Sequence, residues 1–268
     1  DDANSNSSSY NFVAWNWKAN GSGSANTDGS MSETVTVSAN ADAGFSIVSY
    51  TGSGTSGNTV GHGLSSAPEL VISKSRTSQS SEMNWVSYHA SLGNTKKVLL
   101  NDDAASATSS NWGNTTPTSD VFTVNPANGG TNTDGEDYIA YCFHSVDGYS
   151  KVGSYVGNGT AGSAGQFDGT FVYLGFRPKL LIFKRTDTGA RWYMWDAERN
   201  PSNVVDLWLN AAGTNAETEE STSGYEQDLD FLSNGFKLKG PSGGINSNGK
   251  TYIYIAFAET PFKYSNAR

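Results

Sequence analysis

The sequence predicts an all-β protein built of tandem β-sandwiches of jelly-roll type: two copies of one repeat, preceded by the last strand of an earlier copy. Three observations carry this. Charged residues make up only 16% of the 268, against 30 glycines and abundant Ser, Thr and Asn, a mixture that suits short strands and many turns and lacks what long helices favour. Aromatic residues reach 12%, which favours packed sheets over disorder. The chain also repeats itself, and a chain of this length can bury a core in each copy.

Five phrases return in the same order at offsets between about 105 and 114. "GFSIVSYTGSGT" (44–55) returns as "GYSKVGSYVGNGT" (148–160), and "APELVISKSR" (67–76) as "RPKLLIFKRT" (177–186). "NWVSYHASLGN" (84–94) matches "RWYMWDAERNP" (191–201), and "KVLLN" (97–101) matches "DLWLN" (206–210). "DGEDYIAYCFHSVDG" (134–148) matches "NGKTYIYIAFAETPF" (248–262). The predicted domains are therefore a first sandwich over 44–147 and a second over 148–268.

The opening phrase "YNFVAWNWKANG" (10–21) has a place in this scheme. Val13, Trp15 and Trp17 align with Ile139, Tyr141 and Phe143, and with Ile253, Ile255 and Phe257. Residues 1–18 then read as the closing strand of an earlier copy whose body is missing. Residues 19–43, rich in Gly, Ser, Asn and Ala, read as a linker with one strand over Glu33–Val37. An unpaired strand carrying Trp15 and Trp17 would invite aggregation, so both are expected to be mostly buried at an assembly contact.

Within each copy, period-two alternation and turn residues place the strands. Ser46–Thr51 and Val152–Val156 come first. Leu70–Lys74 and Leu180–Lys184 follow a proline, which marks strand entry. Trp85–His89 and Trp192–Asp196 come next, then Val98–Asn101 and Leu207–Asn210. Val121–Val124 and Phe236–Leu238 lead to the closing strands through Asp134-Gly135 and Asn248-Gly249, both tight-turn pairs. The closing strands are apolar on both faces and belong at the centre of their sheets.

A net charge of -9 without a basic stripe argues against nucleic acid as a partner. No apolar run approaches the roughly 20 residues of a membrane helix, so no membrane insertion is expected. The single cysteine, Cys142, aligns with Ala256; it reads as a small buried residue, and oxidising export is not signalled. The chain opens on Asp1 with no basic-then-apolar leader, which suggests a processed chain or a fragment.

The search for chemistry yields little. His62, His89 and His144 have no metal-ligand spacing; His62 in "GHGL" reads as a turn residue. His89 aligns with Asp196 and His144 with Ala258, so neither base is kept in both copies. "HSVD" (144–147) cannot form a triad, because adjacent strand residues face opposite ways. Asp196 and Glu198 in "WDAER" form the one carboxylate pair that could hydrolyse a glycoside, with a structural role as the alternative. "TNTDGED" (131–137) gathers oxygen ligands in a turn but lacks the spacing of a calcium loop. Trp112, in the polar "SSNWGNTTP", is the leading candidate for an exposed stacking face for a glycan or receptor, the alternative being a plug at the sandwich edge. No catalytic residue, cofactor or metal ligand is assigned.

The phrases "FVAWNWKANG", "GFSIVSYTGSGTSGNTVGHGL", "APELVISKSR", "YIAYCF", "FVYLGFRPKLLIFKRTD" and "TYIYIAFAETPF" resemble a repeat of virion proteins of marine tailed bacteriophages. The resemblance spans about residues 10–264. It implies a non-enzymatic virion structural protein, tail-fibre-like or projecting from the particle surface, with other virion proteins as partners. It leaves room for a host receptor or surface glycan, and for a homo-oligomer such as the trimer common among phage fibres. No heptad or triple-helix repeat is visible. Two other functions remain open: a capsid decoration protein, and, from another class, a depolymerase using Asp196 and Glu198.

Overall fold

The computed structural model describes residues 8, 11–31, 34–77, 84–126, 130–160, 168–219 and 227–260. It is all-β, with antiparallel strands throughout and a single 3-10 turn at Ala41–Ala43 among the described residues. The first ten strands are β1 (Ser24–Ala25), β2 (Thr36–Asn40), β3 (Phe45–Thr51), β4 (Asn58–Gly61), β5 (Leu70–Ser75), β6 (Val86–His89), β7 (Lys96–Leu99), β8 (Ala107–Thr108), β9 (Val121–Val124) and β10 (Asp137–Phe143). Then follow β11 (Ser150–Val156), β12 (Phe171–Tyr173), β13 (Pro178–Arg185), β14 (Tyr193–Asp196), β15 (Leu207–Asn210), β16 (Thr218–Glu219), β17 (Leu229–Leu232), β18 (Gly235–Leu238) and β19 (Thr251–Ala258).

Each half pairs a large sheet with a small one. In the first, the sheet β1-β2-β3-β10-β5-β6-β7-β8 faces the hairpin-like pair β4-β9. In the second, β11-β19-β13-β14-β15-β16 faces β12-β18-β17. Period-two alternation sends one row of each large sheet inward. Val48, Tyr50, Val71, Tyr88, Tyr138 and Cys142 meet Val60, Phe122 and Val124 in the first core. Phe183, Trp195, Tyr252 and Ala256 meet Val172, Phe231, Phe236 and Leu238 in the second. Each fully buried Val, Leu or Phe among them contributes about 1.5–3 kcal/mol. As the apolar pattern predicts, β10 and β19 are central, flanked by β3 and β5 and by β11 and β13.

Matched positions make matched contacts. Tyr50 stacks on Tyr138 at 5.1 Å, and Tyr155 on Tyr252 at 4.8 Å. The Tyr50 and Tyr155 hydroxyls donate to the carbonyls of Thr131 and Ile245, at 2.7 and 2.8 Å. Buried Asn132 accepts from the Ser53 amide through Oδ1 at 2.9 Å, and buried Asn246 accepts from the Asn158 amide at 3.0 Å.

One expectation needs correction. The segment expected to be a linker is built into the first sandwich: β2 pairs with β3 along five residues, and Met31, Val35 and Val37 are buried in the first core. Its small polar residues conceal three apolar side chains that the sheet edge can cover; Glu33, where a strand was expected to begin, lies outside the described residues. The opening phrase forms no ladder with any strand among the described residues. Its burial nonetheless alternates, with Val13, Trp15, Trp17 and Ala19 half-buried and Phe12, Ala14, Asn16 and Lys18 exposed. It therefore keeps a strand's side-chain period without a strand's partners; Tyr10 lies outside the described residues.

Candidate functional site

The outward rows of the two large sheets are also apolar, which is unusual for a sheet face meant for water. In the first sheet this row carries Phe45, Leu70 and Phe143, and in the second Val152, Leu180, Ile255 and Phe257. The two rows pack on one another, and Trp15 and Trp17 pack against both. The hub is aromatic. Trp17, Phe143 and Phe257 hold matched positions and touch pairwise, with ring centroids 6.1, 5.2 and 5.9 Å apart and edge-on angles throughout. Edge-to-face rings add about 0.5–1.5 kcal/mol per pair beyond their burial.

Away from the hub, the β6–β7 side of the first sheet is seated on the face of the second. There Val98 packs with Trp192 and Ile253. Trp192 donates its indole N–H to the Leu99 carbonyl at 2.7 Å, and Ser106 donates from its amide to the Thr186 carbonyl at 2.9 Å. His89, 2% exposed, accepts the Ser91 amide at Nδ1, which leaves Nε2 to donate to the Tyr254 carbonyl at 3.3 Å. Burial lowers its pKa to about 4, keeping the ring neutral near pH 7. Lys184 is fully buried inside a strand. Its ammonium donates to the carbonyls of Asp103, at 2.9 Å, and Ala190, and lies 5.8 Å from the centre of the Trp192 ring. Desolvation lowers its pKa to about 8, while the nearby Asp103 and Asp102 carboxylates act against the shift.

Beside this contact the two sheets diverge and leave an apolar cavity of about 460 Å³. Trp15, Trp17, Trp85, Trp192, Tyr141 and Ile182 are among its aromatic and aliphatic lining, and Ser87, His89 and Asn16 add polar positions. Its size falls in the range of ligand pockets, but its wall has few groups to hold a polyhydroxylated sugar.

The residues nominated from sequence are dispersed. Trp15 and Trp17 sit at the hub, half-buried in the chain as it stands. Trp112, expected to be exposed, is 1% exposed and packs edge-on against Tyr88 at 5.9 Å, so it offers no stacking face. The surrounding polar residues form turns over the sandwich mouth, while the indole fills the core beneath. Asp196 and Glu198 do not act as a pair. Asp196 is 1% exposed and takes the Arg199 guanidinium at 2.7 Å, together with the Glu198 and Arg199 amides. Glu198 is exposed and paired with Lys179 at 2.6 Å. Cys142 is fully buried, as its alignment implied, and desolvation raises its thiol pKa to about 12. His62 accepts the Leu64 amide and donates to the Thr118 carbonyl, a turn-fixing role at the end of β4.

Among the described residues no three His, Cys, Asp or Glu side chains are placed to hold a metal ion. In "TNTDGED", Asp137 instead accepts from Thr51 and Glu136 from Tyr138. No helix of the described residues is long and apolar enough to cross a membrane. Sequence reasoning overlooked His89 and Lys184 as coupling residues. The readable signal was a lysine inside the apolar run "LLIFKRT" and a histidine ending "WVSYH".

A family model described as Domain of unknown function (DUF7483) matches residues 1–261. No curated protein and no solved structure matches the chain.

Proposed function

The chain belongs to this family of domains of unknown function, and we propose that it is a non-enzymatic structural module of a bacteriophage virion, tail-fibre-like or projecting from the particle surface. The observation that carries this reading is the seating of the β6–β7 side of one sheet on the face of the next, through His89–Tyr254, Lys184–Asp103 and Trp192–Leu99. Such a contact makes two sandwiches one stiff body, which is what a spacer or projection needs. The loops at the sandwich ends are free to vary over an unchanged core, so recognition of a host receptor or glycan would belong to them. The virion half of the proposal rests on the likeness of the repeat phrases to phage virion repeats. Its partners would be neighbouring virion proteins.

The carboxylates considered for glycoside hydrolysis are engaged elsewhere, Asp196 with Arg199 and Glu198 with Lys179, which favours the structural role. Mass spectrometry and immunogold labelling of purified particles test the proposal. The protein should co-purify with the virion and label a tail or surface projection, at a copy number far below that of the major capsid protein. Its absence from purified particles would overturn the reading, and hundreds of copies would move it to capsid decoration.

A further inference from the structure

Outside the hub, where matched rows meet, the contact between the two sheets is head-to-tail: the β6–β7 side of one meets a face of the other, and the surfaces used are different. Repeated by the same rotation, a heterologous contact of this kind either closes into a ring or continues as a filament. Two features indicate closure after three units. The matched residues Trp17, Phe143 and Phe257 form a closed triangle at the hub, each touching the other two. The surface that receives the β6–β7 side of the first sheet also recurs on the first sheet itself: Trp85 holds the position of Trp192. Trp192 is buried under β7, whereas Trp85 is half-buried, stacks on Tyr141 at 6.2 Å and lines the cavity.

The inner face of the opening segment points the same way. Phe12 occupies the position of Tyr138 and Tyr252, which are 1% and 0% exposed in their cores, yet Phe12 is 51% exposed. Its neighbour Ala14 matches Ala140 and Tyr254, both buried, and is exposed too.

We propose that a third sheet of the same repeat closes the cavity, with residues 11–19 as its central closing strand, and that the same polypeptide supplies it from upstream. Topology selects that source. In both sandwiches the strands that flank the closing strand, β3 and β5 or β11 and β13, precede it in the chain. The flanks of residues 11–19 must precede them likewise. The third sheet would cover Trp85 with its β6–β7-like side and Phe12 with its core. Asn16, which stands where Cys142 and Ala256 are buried, would need a hydrogen-bond partner in that core. This assignment does not depend on where the protein is located, so it can fail or hold independently of the virion reading.

Hydrogen exchange on two chains tests it: residues 1–268, and the full reading frame with whatever precedes them. Amides of residues 12–18 should exchange at least 100-fold more slowly in the longer chain, on the order of a gain of 3 kcal/mol in local protection. Phe12→Ser should abolish that protection while leaving the melting temperature of residues 1–268 unchanged. Equal exchange in the two chains, a reading frame with no upstream repeat, or concentration-dependent protection of residues 1–268 by a second copy would each overturn the assignment.

Discussion

His89, at the end of β6 in the first large sheet, donates a hydrogen bond to the carbonyl of Tyr254, at the centre of the second, across 3.3 Å of buried contact. Its Nδ1 accepts the Ser91 amide, and only a neutral ring can do so, while Nε2 donates to Tyr254 in either charge state. The folded pKa of about 4 lies below the ordinary 6.5, so the unfolded chain binds more protons on the way down in pH. Stability should therefore be unaffected by this group above about pH 6.5 and should fall as pH drops from there to about 4, by about 3 kcal/mol in all. His62, lowered in the same direction by burial, adds to the fall. Urea denaturation at pH 7.0 and 4.5 measures it, and His89→Gln should remove most of the difference.

Trp112→Ala should act on the fold. Removing a fully buried indole from beside Tyr88 should cost about 3–5 kcal/mol. Denaturant titration should register that loss, and a glycan array should show the same profile for the folded variant as for the parent.

Asp196→Asn and Glu198→Gln should separate sharply. Asp196 is the buried half of an ion pair with Arg199, and removing its charge should destabilise the chain by about 3 kcal/mol. Glu198 is exposed, and its loss should change stability by less than about 1 kcal/mol. Thermal unfolding of the two single variants checks both values.

Gly157 lies so close to the loop before the closing strand that a Cβ would stand 2.3 Å from the Ser247 carbonyl oxygen. Its matched partner Gly52 is in the same position against Thr133. Gly157→Ala should destabilise the second sandwich by about 1–3 kcal/mol through overpacking. Exchange rates around Tyr155 and Tyr252 should rise, while those around Tyr50 and Tyr138 stay as they are.

The long inner strands of the large sheets were legible because each satisfies a local rule, whereas the two-residue strands β1, β8 and β16 at their margins were not. Leu70–Ser75 and Pro178–Arg185 follow a proline entry, and the closing strands end tight Asp-Gly and Asn-Gly turns. The small-sheet strands Asn58–Gly61, Phe171–Tyr173 and Leu229–Leu232 were not, because three or four residues are too few to establish a period. Trp112 misled for a related reason: its polar neighbours describe the turn, while the burial of its ring is decided by Tyr88, distant in sequence. The hub was half legible. Alternation placed Trp15 and Trp17 in one row with Tyr141 and Phe143, but no local pattern says which surface that row meets. The roles of His89 and Lys184 depend wholly on carbonyls supplied by the other half of the chain.

The central claim is that the two sandwiches move as one body. Ser66 and Ser233 are exposed and lie in different halves, whereas Cys142 is fully buried with a raised thiol pKa and will not compete for a label. Spin labels on Ser66→Cys and Ser233→Cys, read by pulsed dipolar spectroscopy at pH 7, should give a single narrow distance distribution. A broad or bimodal distribution at that pH would contradict the claim.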